Sequence, residues 1–301
     1  MLHSRISVAD KRRSLREKIA GTSILQMPGA FNPLSAKIIE RQGFGAVYIS
    51  GAVISAELGL PDIGLTTLSE VSGRAQQISR VTDLPTLVDA DTGFGEAINV
   101  ARTVQVMEDA GVSGMHIEDQ VNPKRCGHLD GKAIVDRATA LQRIRAAVDS
   151  RRDPDFMIVA RTDARTVVGF EETLERAKAL VGAGADAIFP EALASLDEFE
   201  QLCRAVDAPV IANMTEFGKT ELYTATELEN VGVKIVIYPV SLLRLAMGAT
   251  VRGLETLARE GTLSSVTPEM QTRSDLYDVL DYESFNHFDS EVFNFTVRNN
   301  A

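Results

Sequence analysis

The chain has 301 residues, 45% hydrophobic and 24% charged, an ordinary globular composition that argues against a disordered or fibrous protein. Its formal net charge of −11 argues against nucleic acid as a partner. Two cysteines, Cys126 and Cys203, are too few for a disulfide framework and suit a cytoplasmic protein, and no apolar run is long enough to span a membrane.

The chain opens on MLHSRISVADKRRSLREKIAG, which is basic but lacks the apolar core of a signal peptide and reads as a solvated helix. Eight short apolar runs follow: SILQMPGA, QGFGAVYIS, PTLVDAD, DAGVSGMHIE, DFMIVART, AGADAIFPE, PVIANMT and NVGVKIVIYP. Each is too short for a buried helix and right for a parallel strand covered on both faces. Amphipathic stretches such as Ala97–Ala110, Asp136–Ser150 and Phe170–Gly182 separate them. Four runs share one grammar: a helical pattern ends at Gly43, Gly111, Gly184 or Gly232, and seven residues later stands Ser50, Glu118, Glu191 or Pro239. Glycine there suits a left-handed helix cap. Eightfold alternation of strand and helix predicts a (β/α)8 TIM-type barrel over residues 1–261. An open doubly wound sheet is disfavoured, because GFGAVY and GFGEAI both lack the third glycine of a dinucleotide fingerprint. Residues 262–301 form a helical extension with exposed-looking apolar residues, which either caps the barrel or packs on a neighbour.

In such barrels the chemistry sits at the C-terminal ends of the strands. Those ends carry Ser50 and Gly51, Asp89 and Asp91, His116 and Glu118, Arg161, Glu191, Asn213 and Thr215. Helix caps alone would account for two or three of them. LVDADTGFG is the sharpest piece: Asp89 and Asp91, two apart on a strand, should leave one face, and paired carboxylates repel unless a cation lies between them. Oxygen donors without a His or Cys cluster suit Mg2+, or Mn2+ in its place, with Glu118 completing or backing the site. The loop NPKRCGHLDGK follows Glu118 and is long enough for a lid. In it, Lys124, Arg125 and His128 flank Cys126, a setting that favours thiolate and predicts a proton donor or acceptor. EFGKT and GHLDGKA fail the phosphate-loop spacing, which argues against nucleotide binding. Lys124, Arg161, Arg244 and Arg273 in an acidic protein point to a small polyanionic substrate with carboxylates.

KRCGH, YISGAVISAELGLPDIG, LVDADTGFG, GMHIEDQ, ARTDA, FPEA, NMTEFG and MQTR resemble the phosphoenolpyruvate mutase/isocitrate lyase superfamily, and within it the 2-methylisocitrate lyase branch. The resemblance runs from about Lys18 into the tail. It implies a Mg2+-dependent carbon–carbon lyase that cleaves (2S,3R)-2-methylisocitrate, a tricarboxylate, to pyruvate and succinate in the methylcitrate cycle of propionate catabolism. It also implies a homotetramer whose C-terminal helices swap between subunits. By motif, Asp89 and Asp91 hold the metal with Asp62 and Glu118 in its outer shell, while Ser50, Gly51 and Ala52 bind the pyruvate end. Arg161 faces the developing oxyanion, and Gly127, His128, Glu191, Asn213, Thr215, Arg244 and Arg273 contact carboxylates or hold residues that do. The expected mechanism is a retro-aldol-type cleavage in which Cys126 protonates the succinate carbanion and Tyr48 is the candidate base, with a carboxylate or a metal-bound water as the alternatives. Two departures, LDGK after KRCGH and Ala52 where glycine is frequent, bear on substrate preference rather than reaction type. Isocitrate lyase and oxaloacetate decarboxylase activities are the near alternatives. A non-catalytic dicarboxylate binder is the distant one.

Overall fold

The computed structural model describes residues 4–127 and 131–294. Eight strands succeed one another: β1 (Leu25–Pro28), β2 (Val47–Ile49), β3 (Thr86–Asp89), β4 (Gly114–Glu118), β5 (Met157–Thr162), β6 (Ala187–Pro190), β7 (Ile211–Asn213) and β8 (Ile235–Tyr238). Each lies inside one of the eight apolar runs and is followed by at least one helix. All pairings are parallel. β2 to β6 pair in chain order, β7 pairs with β8, and β8 with β1. Single parallel bridges from Gly29 to Tyr48 and from Ile188 to Val210 join β1 to β2 and β6 to β7, closing the ring of a (β/α)8 barrel. Gly43, Gly111, Gly184 and Gly232 all have positive φ and turn the chain out of the helix into β2, β4, β6 and β8.

The near-continuous apolar runs are explained by two cores. Met27, Tyr48, Leu87, Val159, Phe189 and Ile237 point into the barrel and form one cluster. Their strand neighbours Val47, Ile49, Val88, Ile158, Ile188 and Val236 point outward and pack with helix residues such as Ile39, Val104, Ile144 and Leu180. Alternation along a strand thus serves two buried faces instead of one buried and one wet.

The helix Val8–Ala20 is not the solvated element expected from its charge. Leu15 and Ile19 join the inner cluster and plug the end of the barrel where the strands begin. Lys11 and Arg12 are buried with it: Lys11 Nζ donates to the Ser79 carbonyl at 2.8 Å, and Arg12 Nη2 to the Glu108 carbonyl at 2.8 Å. Both carbonyls lie at helix C-termini, where cations are favoured. Composition marks this segment as polar because its charged heads are long enough to reach those carbonyls while their stems stay dry.

The helix after β8, Ser241–Glu260, departs from a regular barrel in the opposite sense. Of its residues only Thr256 is buried, and Leu245, Met247, Val251, Leu254 and Leu257 are exposed. Beyond Gly261 come the helices Arg273–Leu280 and Tyr282–Phe293. The first of these lies beside the helix Pro33–Arg41, with Arg41 Nη2 3.6 Å from Asp278 Oδ2.

Candidate active site

Where the strands end, a cavity of about 240 Å3 opens. Tyr48, Ser50, Ala52, Asp62, Asp89, Lys124, Cys126, Gly127, Arg161, Glu191, Asn213, Thr215 and Arg244 line it, so residues from six of the sequence motifs, together with Arg244, meet in one place. Gly51 stands at its edge, with its N–H 3.2 Å from Asp89 Oδ2. Arg273 does not line the cavity: it is exposed on its own helix. His128 lies outside the described residues. A larger space of about 610 Å3 backs onto Asp91 from the side of Thr67, Asn99 and Arg102, but Cys126, Arg161 and Glu191 all face the smaller one.

The carboxylates converge by a route that strand alternation does not describe. Asp91 lies beyond β3, in the left-handed region at φ 47°, and its N–H donates to Asp89 Oδ1 at 3.0 Å. A non-glycine residue there costs on the order of 1 kcal/mol. The turn folds the second carboxylate back beside the first. Lys124, expected to meet substrate, reaches into this group: its Nζ is 2.9 Å from Asp91 Oδ1 and also pairs with Asp62 Oδ1. Its pKa is raised: burial opposes the charge, but Asp91, Glu118, Asp89 and Asp62 together outweigh it. Burial pushes Asp91 up to about 6, with Lys124 opposing and Asp89 adding to the rise. Burial likewise raises Glu118 well above the carboxylate range. Asp89 goes the other way; burial would raise it, but His116, Lys124 and Arg161 hold it low.

These residues suit a divalent ion. Asp91 Oδ1 and both Glu118 carboxylate oxygens are buried and accept no hydrogen bond among the described residues, although Asp91 Oδ1 keeps an ion pair with Lys124 and Glu118 Oε2 one with Arg161. Buried polar oxygens left in this state call for a cation or water. The donors are all oxygens, as Mg2+ and Mn2+ require. No three acidic, His or Cys groups among the described residues already stand at metal-closing distances, so Asp89 and Asp91 would be the protein's contribution and water the remainder.

Arg161, at the end of β5, is the second organising cation. Its Nε lies 3.1 Å from Asp163 Oδ2 and 3.3 Å from Glu118 Oε2, and its Nη2 lies 3.0 Å from Glu191 Oε2. The guanidinium also stacks over the Phe189 ring at 5.1 Å. Asn213 Nδ2 donates to Glu191 Oε1 at 3.3 Å, and Lys132 Nζ is 2.7 Å from Asp163 Oδ1. Gly127 rests directly on this network. A β-carbon there would come within 2.5 Å of Glu191 Oε2, so only glycine lets the loop bring Cys126 down to the cavity.

Tyr48, the candidate base, has a partner to which the sequence reading assigns no role. Tyr48 Oη and His116 Nε2 are 2.6 Å apart at the barrel axis, with parallel rings and both side chains buried. Burial, reinforced by Asp89, raises the Tyr48 pKa well above its usual value. Burial lowers His116 to about 4, so the imidazole is neutral at pH 7. The signal for His116 is its position two residues before Glu118 on the same face of β4. Asp163, Phe189 and Glu216 also belong to the site but read as a helix start, a core residue and a loop charge.

The titration of His116 makes a testable difference. With an unfolded pKa near 6.5 and a folded one of about 4, the unfolded chain binds this proton first as pH falls. Stability is therefore lost from pH 6.5 downward, by about 2 kcal/mol at pH 5. Urea unfolding of wild type and His116→Gln at pH 7 and pH 5 should show the wild type losing about that much more than the variant. Equal losses would mean that His116 does not titrate in this range.

A closed barrel with a carboxylate cluster, a buried guanidinium and a cysteine gathered where its strands end has the layout of a barrel enzyme's active site. The family model described as phosphoenolpyruvate phosphomutase matches residues 15–258. A probable 2-methylisocitrate lyase 2 of Corynebacterium glutamicum is 55% identical over 99% of this chain and 97% of its own. The solved structure of 2,3-dimethylmalate lyase, a PEP mutase/isocitrate lyase superfamily member, superposes with a TM-score of 0.87 at 36% identity over 97% of this chain and 99% of its own. That of oxaloacetate acetylhydrolase in complex with 3,3-difluorooxalacetate gives 0.89 at 34% identity over the same shares. The chain belongs to the phosphoenolpyruvate mutase/isocitrate lyase superfamily and is a lyase of the 2-methylisocitrate lyase type.

Proposed function

We propose that this lyase cleaves (2S,3R)-2-methylisocitrate to pyruvate and succinate with Mg2+ (or Mn2+) bound, as the methylcitrate cycle of propionate catabolism requires. The observation that carries the reading is the meeting of Cys126, the Asp89–Asp91 pair and two guanidiniums, Arg161 and Arg244, around one small cavity. The names of relatives such as the C. glutamicum protein point to the same substrate.

Asp89 and Asp91, backed by Asp62 and Glu118, would hold the metal, which supplies Lewis-acid stabilisation of negative charge on oxygen. Ser50, Gly51 and Ala52 seat the pyruvate end beside Asp89, where the Gly51 N–H already points. Tyr48 is held protonated by its surroundings, so it works through His116: as its oxygen accepts the proton of the tertiary hydroxyl, its own proton passes to Nε2, 2.6 Å away. The C–C bond then breaks. The hydroxyl oxygen's electron pair becomes the pyruvate carbonyl, and the carbanion left on the succinate half takes a proton from Cys126 Sγ. Arg161 faces the developing charge, locked by Glu118, Asp163 and Glu191 so that it need not reorganise. Gly127, His128, Asn213, Thr215 and Arg244 position carboxylates. The exposed apolar stripe of Ser241–Glu260 supports a homotetramer in which C-terminal helices swap onto neighbouring barrels. No helix among the described residues is long and apolar enough to cross a membrane; the low cysteine count supports work in the reducing cytoplasm.

Competition tests the substrate. A pocket filled around the 2-methyl group discriminates by roughly 10- to 200-fold. With equal 2-methylisocitrate and isocitrate in one mixture, pyruvate should form at least tenfold faster than glyoxylate. Release should stop with a chelator and return with Mg2+. Equal glyoxylate would move the chain to isocitrate cleavage, and faster turnover of oxaloacetate alone would move it to the decarboxylases.

A further inference from the structure

Phe217 stands in the loop after β7 in the left-handed region, φ 62°, although glycine follows at position 218. Its side chain is 95% exposed, so the strain gains no burial in return. It lines the mouth of the cavity together with Arg244. The Arg244 guanidinium lies over its ring, 5.5 Å from the centroid. Arg244 Nη1 is in turn fixed by Thr215 Oγ1 at 3.1 Å, the Glu216 carbonyl at 2.8 Å and Glu216 Oε2 at 3.0 Å. Ser241 Oγ donates to the other Glu216 oxygen at 2.5 Å, tying this loop to the start of the helix that carries Arg244. The mouth therefore holds a rigid cation with one aromatic face laid against it.

We propose that Phe217 is a specificity-determining cap, which fixes Arg244 and shields from water the carboxylate that Arg244 binds, so that the enzyme selects acids long enough to reach the mouth. This rests on the reading of the cavity as a carboxylic-acid site. A cation held against an aromatic face is best stabilised where water is kept away, and an ion pair gains strength for the same reason. A short acid seated beside Asp89 and Ser50 lies below the cap and is indifferent to it. A tricarboxylate bridges both ends and depends on it.

The test separates long acids from short ones. Phe217→Ala should raise KM for 2-methylisocitrate at least tenfold with a smaller change in kcat, while the inhibition constant of oxalate stays within twofold. Phe217→Tyr, which keeps the ring, should restore KM to within about threefold of wild type, and thermal unfolding should be unaltered in both. An unmoved KM in Phe217→Ala overturns the cap, and so does an oxalate constant that rises in step with KM. A wild type that fails to cleave 2-methylisocitrate overturns the functional reading instead. The cap is then judged by calorimetry with citrate and oxalate, where equal losses in Phe217→Ala overturn it and a loss confined to citrate supports it.

Discussion

Cys126→Ser is expected to lower pyruvate release by about 10²- to 10⁴-fold, the range for removing a positioned general acid. The thiol is aimed by a dedicated feature: Gly127 presses the loop onto Glu191, which brings Cys126 to the mouth. Serine keeps the size and a hydroxyl, so the fold and the carboxylate cluster should survive. Its proton is held far too tightly to be given up to a carbanion at the same rate. Mg2+ binding measured by calorimetry and the urea midpoint should match wild type, which separates chemistry from structure. Turnover within threefold of wild type, on the order of 0.6 kcal/mol of barrier, would remove Cys126 from the reaction.

The barrel was legible because its grammar is local. Each strand announces itself by an apolar run of its own length, and Gly43, Gly111, Gly184 and Gly232 mark where helices hand over to strands. The site was legible to the extent that function places polar side chains at strand ends, as with Asp89, Glu118 and Arg161. What escaped depends on contacts distant in sequence or on backbone that breaks the strand pattern. Asp91 joins Asp89 through a left-handed turn, not through alternation. Lys124 lies 62 residues from the Asp62 it pairs with, and nothing local says that it will meet these carboxylates. The helix Val8–Ala20 looks solvated because sequence shows the charge of Lys11 and Arg12 but not the helix ends that receive it. The helix Ser241–Glu260 has the amphipathic pattern of a barrel helix, and that pattern cannot say whose barrel it covers.

Arg161→Met should produce the largest loss of stability of any single substitution at the site, about 3–5 kcal/mol, the usual consequence of leaving buried charge uncompensated. Methionine replaces the stem but removes the guanidinium that lies over Phe189, and leaves Glu118, Asp163 and Glu191 facing one another without their shared cation. Glu118 is already raised well above the usual range by burial, with Arg161 the main influence holding it down, so the substitution raises it further. An acid whose folded pKa exceeds its unfolded value of about 4.3 binds more protons folded than unfolded between the two. Stability in that window therefore falls as pH rises and recovers as pH is lowered. The deficit of Arg161→Met against wild type should be full at pH 8 and clearly smaller at pH 5.5, measured by urea unfolding at both. Arg161→Lys, which retains a charge but lacks the fork that serves three carboxylates, should lie between. A deficit below about 1 kcal/mol at pH 8, or one that grows on acidification, would show that the three carboxylates are neutralised by something other than Arg161.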